Sequence, residues 1–161
     1  MVNSLVVGLS DMKLTHDQMA LRCAGLGSCV GLVLYDLQQP IAGMVHIMLP
    51  DSELSRGKAH LPGKFANTAV PELLRQVLAQ GAIKENIRAK MAGGAEMFRA
   101  TISWTANIGQ RNVEAVKEQL DSFHLPIKGE DVGGNFGRTI RFINETKELH
   151  IHTFTKGDKT I

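Results

Sequence analysis

Two apolar runs separated by five polar-leaning residues constrain this chain more than any other feature. Residues 29–35 read Cys-Val-Gly-Leu-Val-Leu-Tyr, and residues 41–49 read Ile-Ala-Gly-Met-Val-His-Ile-Met-Leu. Asp36-Leu37-Gln38-Gln39-Pro40 between them has turn chemistry. Two β-prone runs around a short break read as an antiparallel hairpin. The chain has 161 residues, the usual size of one domain, and 43% of them are hydrophobic, enough to fill one core. One domain spanning 1–161 is expected, with no linker, repeat or low-complexity stretch.

The remaining elements follow from periodicity and breakers. Residues 4–8 form a short apolar run. Val70, Leu73, Leu74, Val77 and Leu78 recur at helical spacing within residues 63–80, with Gly81 suited to the C-terminal cap and Pro71 either starting the helix or kinking it. Residues 88–92 read as a strand entering Gly93-Gly94. Asn107 is positioned to cap a second helix that buries Val113, Val116, Leu120 and Phe123 and ends before Pro126. Residues 139–143 and 148–154 predict a closing hairpin, and the polar tail after Phe154 is expected to fray. Strands outnumber helices in mixed order, which predicts an α+β layered fold with a mixed sheet or sandwich core flanked by helices.

The formal net charge of +2, with basic and acidic residues interleaved, argues against a nucleic-acid partner. No run approaches the roughly 18–20 apolar residues that span a bilayer. Residues 1–21 are broken by Asp11, Lys13, His16 and Asp17, unlike a signal peptide, so a cytoplasmic location with reduced cysteines is expected.

Chemistry concentrates at Cys29. In Gly25-Leu26-Gly27-Ser28-Cys29-Val30-Gly31, small residues permit a tight turn that leaves backbone N–H groups free for a developing oxyanion. A buried structural cysteine at a strand start fits the same segment. His46 adds to the catalytic reading. With the hairpin loop centred between Leu37 and Gln38, His46 lies opposite Cys29, within cross-strand reach. A histidinium there lowers the thiol pKa and protonates a leaving amine. Cys23 lies six residues from Cys29, which is not the spacing of a redox motif. His150 and His152 share a strand face but lack an evident third metal ligand. Asp131 and Glu130 are conceivable partners for His46. Gly133-Gly134-Asn135 reads as a plain turn, since no Gly-Lys-Ser/Thr follows.

Several ordered motifs resemble the family of bacterial chemoreceptor glutamine deamidases, CheD. They are the Cys29 segment above, Gly43-Met44-Val45-His46-Ile47-Met48-Leu49-Pro50-Asp51-Ser52, Gly63-Lys64-Phe65-Ala66-Asn67-Thr68-Ala69-Val70 and Met91-Ala92-Gly93-Gly94-Ala95-Glu96-Met97-Phe98. Ile108-Gly109-Gln110-Arg111-Asn112-Val113 and Glu130-Asp131-Val132-Gly133-Gly134-Asn135 continue the likeness over nearly the whole chain. The resemblance implies a fold related to the cytotoxic necrotizing factor toxins and hydrolysis of receptor glutamine side chains to glutamate, without metal or organic cofactor. It implies Cys29 as nucleophile and His46 as its histidine. The family threonine six residues before the nucleophile is replaced here by Cys23. Implied partners are the cytoplasmic coiled coil of a chemoreceptor and a CheC-type phosphatase. A non-catalytic adaptor, a thiol redox protein and a receptor methylesterase are the rival readings.

Overall fold

The computed structural model describes residues 3–97 and 106–161. Their strands and helices follow the chain as β1 (Ser4–Val6), β2 (Met12–Thr15), β3 (Ala20–Leu26), β4 (Val30–Asp36), β5 (Ala42–Ile47), α1 (Ala66–Ala79), β6 (Ile87–Gly93), α2 (Ile108–Ser122), β7 (Ile127–Val132), β8 (Arg138–Ile143), β9 (Glu148–Thr153) and β10 (Gly157–Thr160). Two five-stranded mixed sheets result, ordered β1-β3-β8-β9-β10 and β2-β5-β4-β6-β7. The α+β layered class expected from the sequence is the class observed. None of the described helices is long and apolar enough to cross a membrane.

The layers follow from strand alternation, since successive side chains point to opposite faces. Val30, Leu32, Leu34, Val45 and Ile47 face α1 and α2 and join Val70, Leu73, Val116 and Leu120 in one apolar cluster. Val33, Tyr35, Ala42 and Met44 face the other way and pack between the sheets on Leu21, Cys23, Ile140, Phe142 and Ile151. The sheet containing β4 and β5 is therefore covered on both sides. Every residue of both strands is buried, which accounts for their unbroken apolar character.

The hairpin register differs from the expected one. Gly31, not Cys29, lies opposite His46, and Val30 lies opposite Ile47. The loop is centred two positions' worth of pairing later, between Gln38 and Gln39. Asp36 is the reason. Its carboxylate accepts from the amides of Gln38 and Gln39 at 2.8 and 2.9 Å, and from the amide of Ile83 at 2.9 Å. Strand β4 thus runs one residue further and pins the turn. Burial pushes this carboxyl upward, but the three amides outweigh it and hold the pKa below the ordinary value.

Both expected helices are present. α1 starts at Ala66 and carries Pro71 inside it. It ends with the amides of Gly81 and Ala82 bonded to the carbonyls of Leu78 and Val77, a Schellman closure that uses the positive φ of Gly81. Asn107 does sit at the head of α2, but in a left-handed conformation and without a side-chain capping bond. The Glu96 carboxylate accepts from the Gln110 amide instead, 3.0 Å away. The tail after Phe154 is also more ordered than its polarity suggests. β10 pairs antiparallel with β9, and Ile161 exchanges two backbone hydrogen bonds with Leu149. Phe98, the last residue of the Met91-to-Phe98 motif, lies outside the described residues.

Candidate functional site

β3 carries Cys23 and β5 carries His46, on facing sheets, and their side chains meet in the layer between. Cys23 Sγ lies 3.2 Å from His46 Nδ1. Both residues are buried, Cys23 at 0% and His46 at 2% exposure. Cys29 enters the same layer from the turn between β3 and β4, packing against the cluster that holds Cys23. It is partly exposed, and both cysteines are free thiols. Gly31 holds the position opposite His46, so Cys29 is not the directly opposed partner of the expected register.

Local sequence explains this convergence. A bulge between Cys23 and Leu26, with Gly25 at φ 70°, turns β3 toward the Cys29 segment. Gly31 leaves the position opposite His46 without a side chain. A Cβ there would meet Ile140 and Leu26 from the other sheet. Gly93 has φ 116°, and a Cβ on it would collide with the Cys29 carbonyl.

The turn bearing Cys29 is held by three consecutive carbonyls. The Ala95 amide donates to the Gly27 carbonyl and the Gly94 amide to the Cys29 carbonyl, both at 2.9 Å. The Asn112 side chain donates to the Ser28 carbonyl at 2.9 Å. Sequence reasoning missed Asn112 as an individual residue. Its signal was an amide at a position where the periodicity of α2 calls for an apolar side chain.

Burial sets the electrostatics. It raises the Cys29 thiol above its ordinary pKa and pushes Cys23 up to about 12, with the neighbouring Cys29 charge adding to the latter. It lowers His46, an effect that the nearby Val7 backbone opposes only in part. Nε2 of His46 has no hydrogen-bond partner of good geometry among the described residues. Burial thus disfavours the charged forms of both thiols and of the imidazole. The 3.2 Å contact lets Cys23 S–H donate to a bare Nδ1 or Sγ accept from a protonated one, so it is compatible with either tautomer.

The other sequence candidates are engaged elsewhere. Asp131 pairs with Arg138 and Lys159, and Glu130 pairs with Lys117. His150 lies by Glu148 and His152 by Asp158 on an exposed strand face. Among the described residues no group of three metal-ligating side chains comes together. The Gly133-Gly134 turn is bonded back to the chain, its Gly133 amide to the Gly93 carbonyl and its Gly134 carbonyl to the Glu96 amide.

A family model described as CheD chemotactic sensory transduction matches residues 48–153. The chain is 50% identical over 156 residues to the chemoreceptor glutamine deamidase CheD of Halalkalibacterium halodurans, covering 96% of both chains. It is 47% identical over 156 residues to the chemoreceptor glutamine deamidase CheD of Bacillus subtilis, covering 96% of this chain and 94% of that one. It is 46% identical over 159 residues to the probable chemoreceptor glutamine deamidase CheD of Caldanaerobacter subterraneus subsp. tengcongensis, covering 98% and 97%.

Proposed function

The chain belongs to the CheD family, and we propose that it deamidates chemoreceptor glutamines with Cys29 as nucleophile and His46 as the proton-transfer group. The reaction is hydrolysis of a protein glutamine side chain to glutamate. The observation that carries the site assignment is the shared layer. One partly exposed thiol, one buried imidazole and one buried thiol converge there, and only Cys29 of the two cysteines is accessible.

His46 takes the Cys29 proton as sulfur attacks. The Cys29 S–C bond forms, and the carbonyl π-electrons move onto oxygen. When the tetrahedral species collapses, the C–N bond breaks and imidazolium delivers its proton to the departing ammonia. A thioester remains. Water, deprotonated by His46, then adds to it, and the C–S bond breaks to give glutamate and the free thiol.

The substrate is read as the cytoplasmic coiled coil of a chemoreceptor, presented as a helix to a thiol near the surface. A CheC-type phosphatase is the second partner in this reading, and both imply a cytoplasmic location. The deciding experiment incubates the protein with receptor cytoplasmic fragments and follows the conversion of glutamine amide to acid by peptide mass spectrometry. Conversion by wild type and none by Cys29→Ala supports the assignment. Receptor binding without conversion would point to an adaptor, and loss of methyl groups from receptor glutamate esters to a methylesterase.

A second reading has one observation behind it. Cys23 makes the 3.2 Å contact with His46. Its complete burial and its pKa of about 12 oppose attack on an external carbonyl. Labelling with iodoacetamide separates the two. Modification confined to Cys29 favours the first reading, and activity retained by Cys29→Ala but lost in Cys23→Ala favours the second.

A further inference from the structure

Asn112 is fully buried in α2, beside Val113 and Val116, which belong to the helix-side cluster. Its Nδ2 spends both protons, one on the Ser28 carbonyl and one on the Met48 carbonyl, each at 2.9 Å. Its Oδ1 has no hydrogen-bond partner among the described residues. A buried acceptor left unpaired costs on the order of 1–3 kcal/mol. Asparagine is also a poorer helix former than the leucine or alanine such a position accommodates. An amide here is unfavourable for the helix taken alone, so its two donations have to matter.

The two acceptors come from segments far apart in sequence. Ser28 directly precedes Cys29, and Met48 lies two residues past His46. One side chain on a third element thus ties the turn bearing the thiol to the end of the strand bearing the histidine. The peptide planes show what this tie controls. In a trans peptide the carbonyl of one residue and the N–H of the next point in opposite directions. The Ser28 carbonyl is held inward by Asn112, which turns the Cys29 N–H outward. The Gly27 carbonyl is held inward by the Ala95 amide, which does the same for the Ser28 N–H. Neither of these two N–H groups has a hydrogen-bond partner among the described residues.

We infer that Asn112 is a positioning residue for the deamidation reaction: by fixing the Ser28 carbonyl it aims the Cys29 backbone N–H at the substrate oxygen that becomes negative as sulfur attacks. Ala95 does so for Ser28 with a main-chain donor that only a proline substitution would remove. Only the Asn112 contact is open to side-chain mutation. The inference rests on the reading of Cys29 as nucleophile, because the two N–H groups serve only a carbon bonded to that sulfur.

The test compares wild type, Asn112→Leu, Asn112→Ala and Cys29→Ala as full-length proteins. Leucine has the same number and branching of side-chain heavy atoms as asparagine and suits both helix and cluster, so Asn112→Leu is the first variant to test. Two reactions of the same sulfur are measured. Deamidation of a receptor cytoplasmic fragment builds an oxyanion, whereas displacement of iodide from iodoacetamide does not. Asn112→Leu should lower kcat about 10- to 100-fold, approaching the loss of one oxyanion donor. KM and the iodoacetamide rate at Cys29 should stay within about two-fold of wild type, and Cys23 should remain unlabelled. A kcat within about two-fold of wild type overturns the inference. So does a fall in kcat accompanied by labelling of Cys23, which reports a loosened fold. If Asn112→Leu does not fold, Asn112→Ala is read by the same criteria. Deamidation surviving in Cys29→Ala would instead remove the nucleophile reading on which the inference stands, a result distinct from both others.

Discussion

The histidines of two hairpins in this molecule look alike in sequence and differ in structure. His46 on β5 and His150 and His152 on β9 each sit among apolar residues in a strand. β5 is buried at every position, whereas β9 alternates between buried and solvent-facing residues. His46 has helices behind its sheet and a second sheet in front, and its Nδ1 meets a thiol. His150 and His152 are on the open face of the outer sheet and lie by carboxylates of Glu148 and Asp158. A strand covered on one side has a place for a polar residue at every second position. A strand covered on both sides has none, so a polar residue there needs a partner or a task. This distinction, and not the histidines themselves, separates a candidate catalytic group from a solvated one.

The comparison is most exposed to activity measurements. Cys29→Ala and His46→Ala should each reduce deamidation by about 10³-fold or more, and the double variant should lose no more than either single one, since the pair acts as a unit. His150→Ala and His152→Ala assayed in parallel should retain wild-type rates. A loss at His152 comparable to that at His46 would break the distinction.

Packing gives the next largest effect. Gly31→Ala places a methyl group against Ile140 and Leu26. Overpacking of this kind costs about 1–3 kcal/mol, to be read as a lower midpoint of urea unfolding. Gly157→Ala in the β9–β10 turn meets no atom within 4 Å and has only its φ of 72° to strain, so its midpoint should fall less.

Proton linkage sharpens the contrast further. Burial lowers the pKa of His46 in the folded protein, so between that value and about 6.5 the unfolded chain binds the extra proton. Stability should therefore be complete above about pH 6.5 and decline as pH falls from there to the folded-state pKa. Urea unfolding across this range should show the decline in wild type and a shallower one in His46→Gln. Equal slopes in the two proteins would remove His46 as the source.

The smallest effect belongs to the outer strand. Replacing His150 by Thr should change stability by no more than about 0.5 kcal/mol, as usual for an exposed position, measured by thermal unfolding.

What the sequence disclosed follows the same division. β4, β5, both helices and the β8–β9 hairpin were legible, because their apolar residues recur with an unbroken period. β3 was not, since the bulge between Cys23 and Leu26 spoils its alternation. β7 and β10 were missed because they are polar edge strands, held by main-chain pairing with β6 and β9. The chemical character of Cys29 and His46 could be read from residue type and neighbourhood. Their register could not, because one carboxylate, Asp36, moves the turn. The Cys23–His46 contact was equally hidden. It crosses from one sheet to the other, and no spacing along the chain encodes which strands will face each other.

The missing side chain at Gly31 has a consequence for anyone exchanging segments between related proteins. The space it leaves is filled by Ile140, which is paired with Cys23 in the opposite sheet. Residues 23, 31 and 140 are therefore one packing unit, although more than a hundred positions separate the first from the last. A chimera joined between the two halves of the chain would keep His46 and Cys29 intact and still mismatch the surface against which they rest. Crossover points that respect this triplet should yield active hybrids, and those that split it should need a compensating change at position 140.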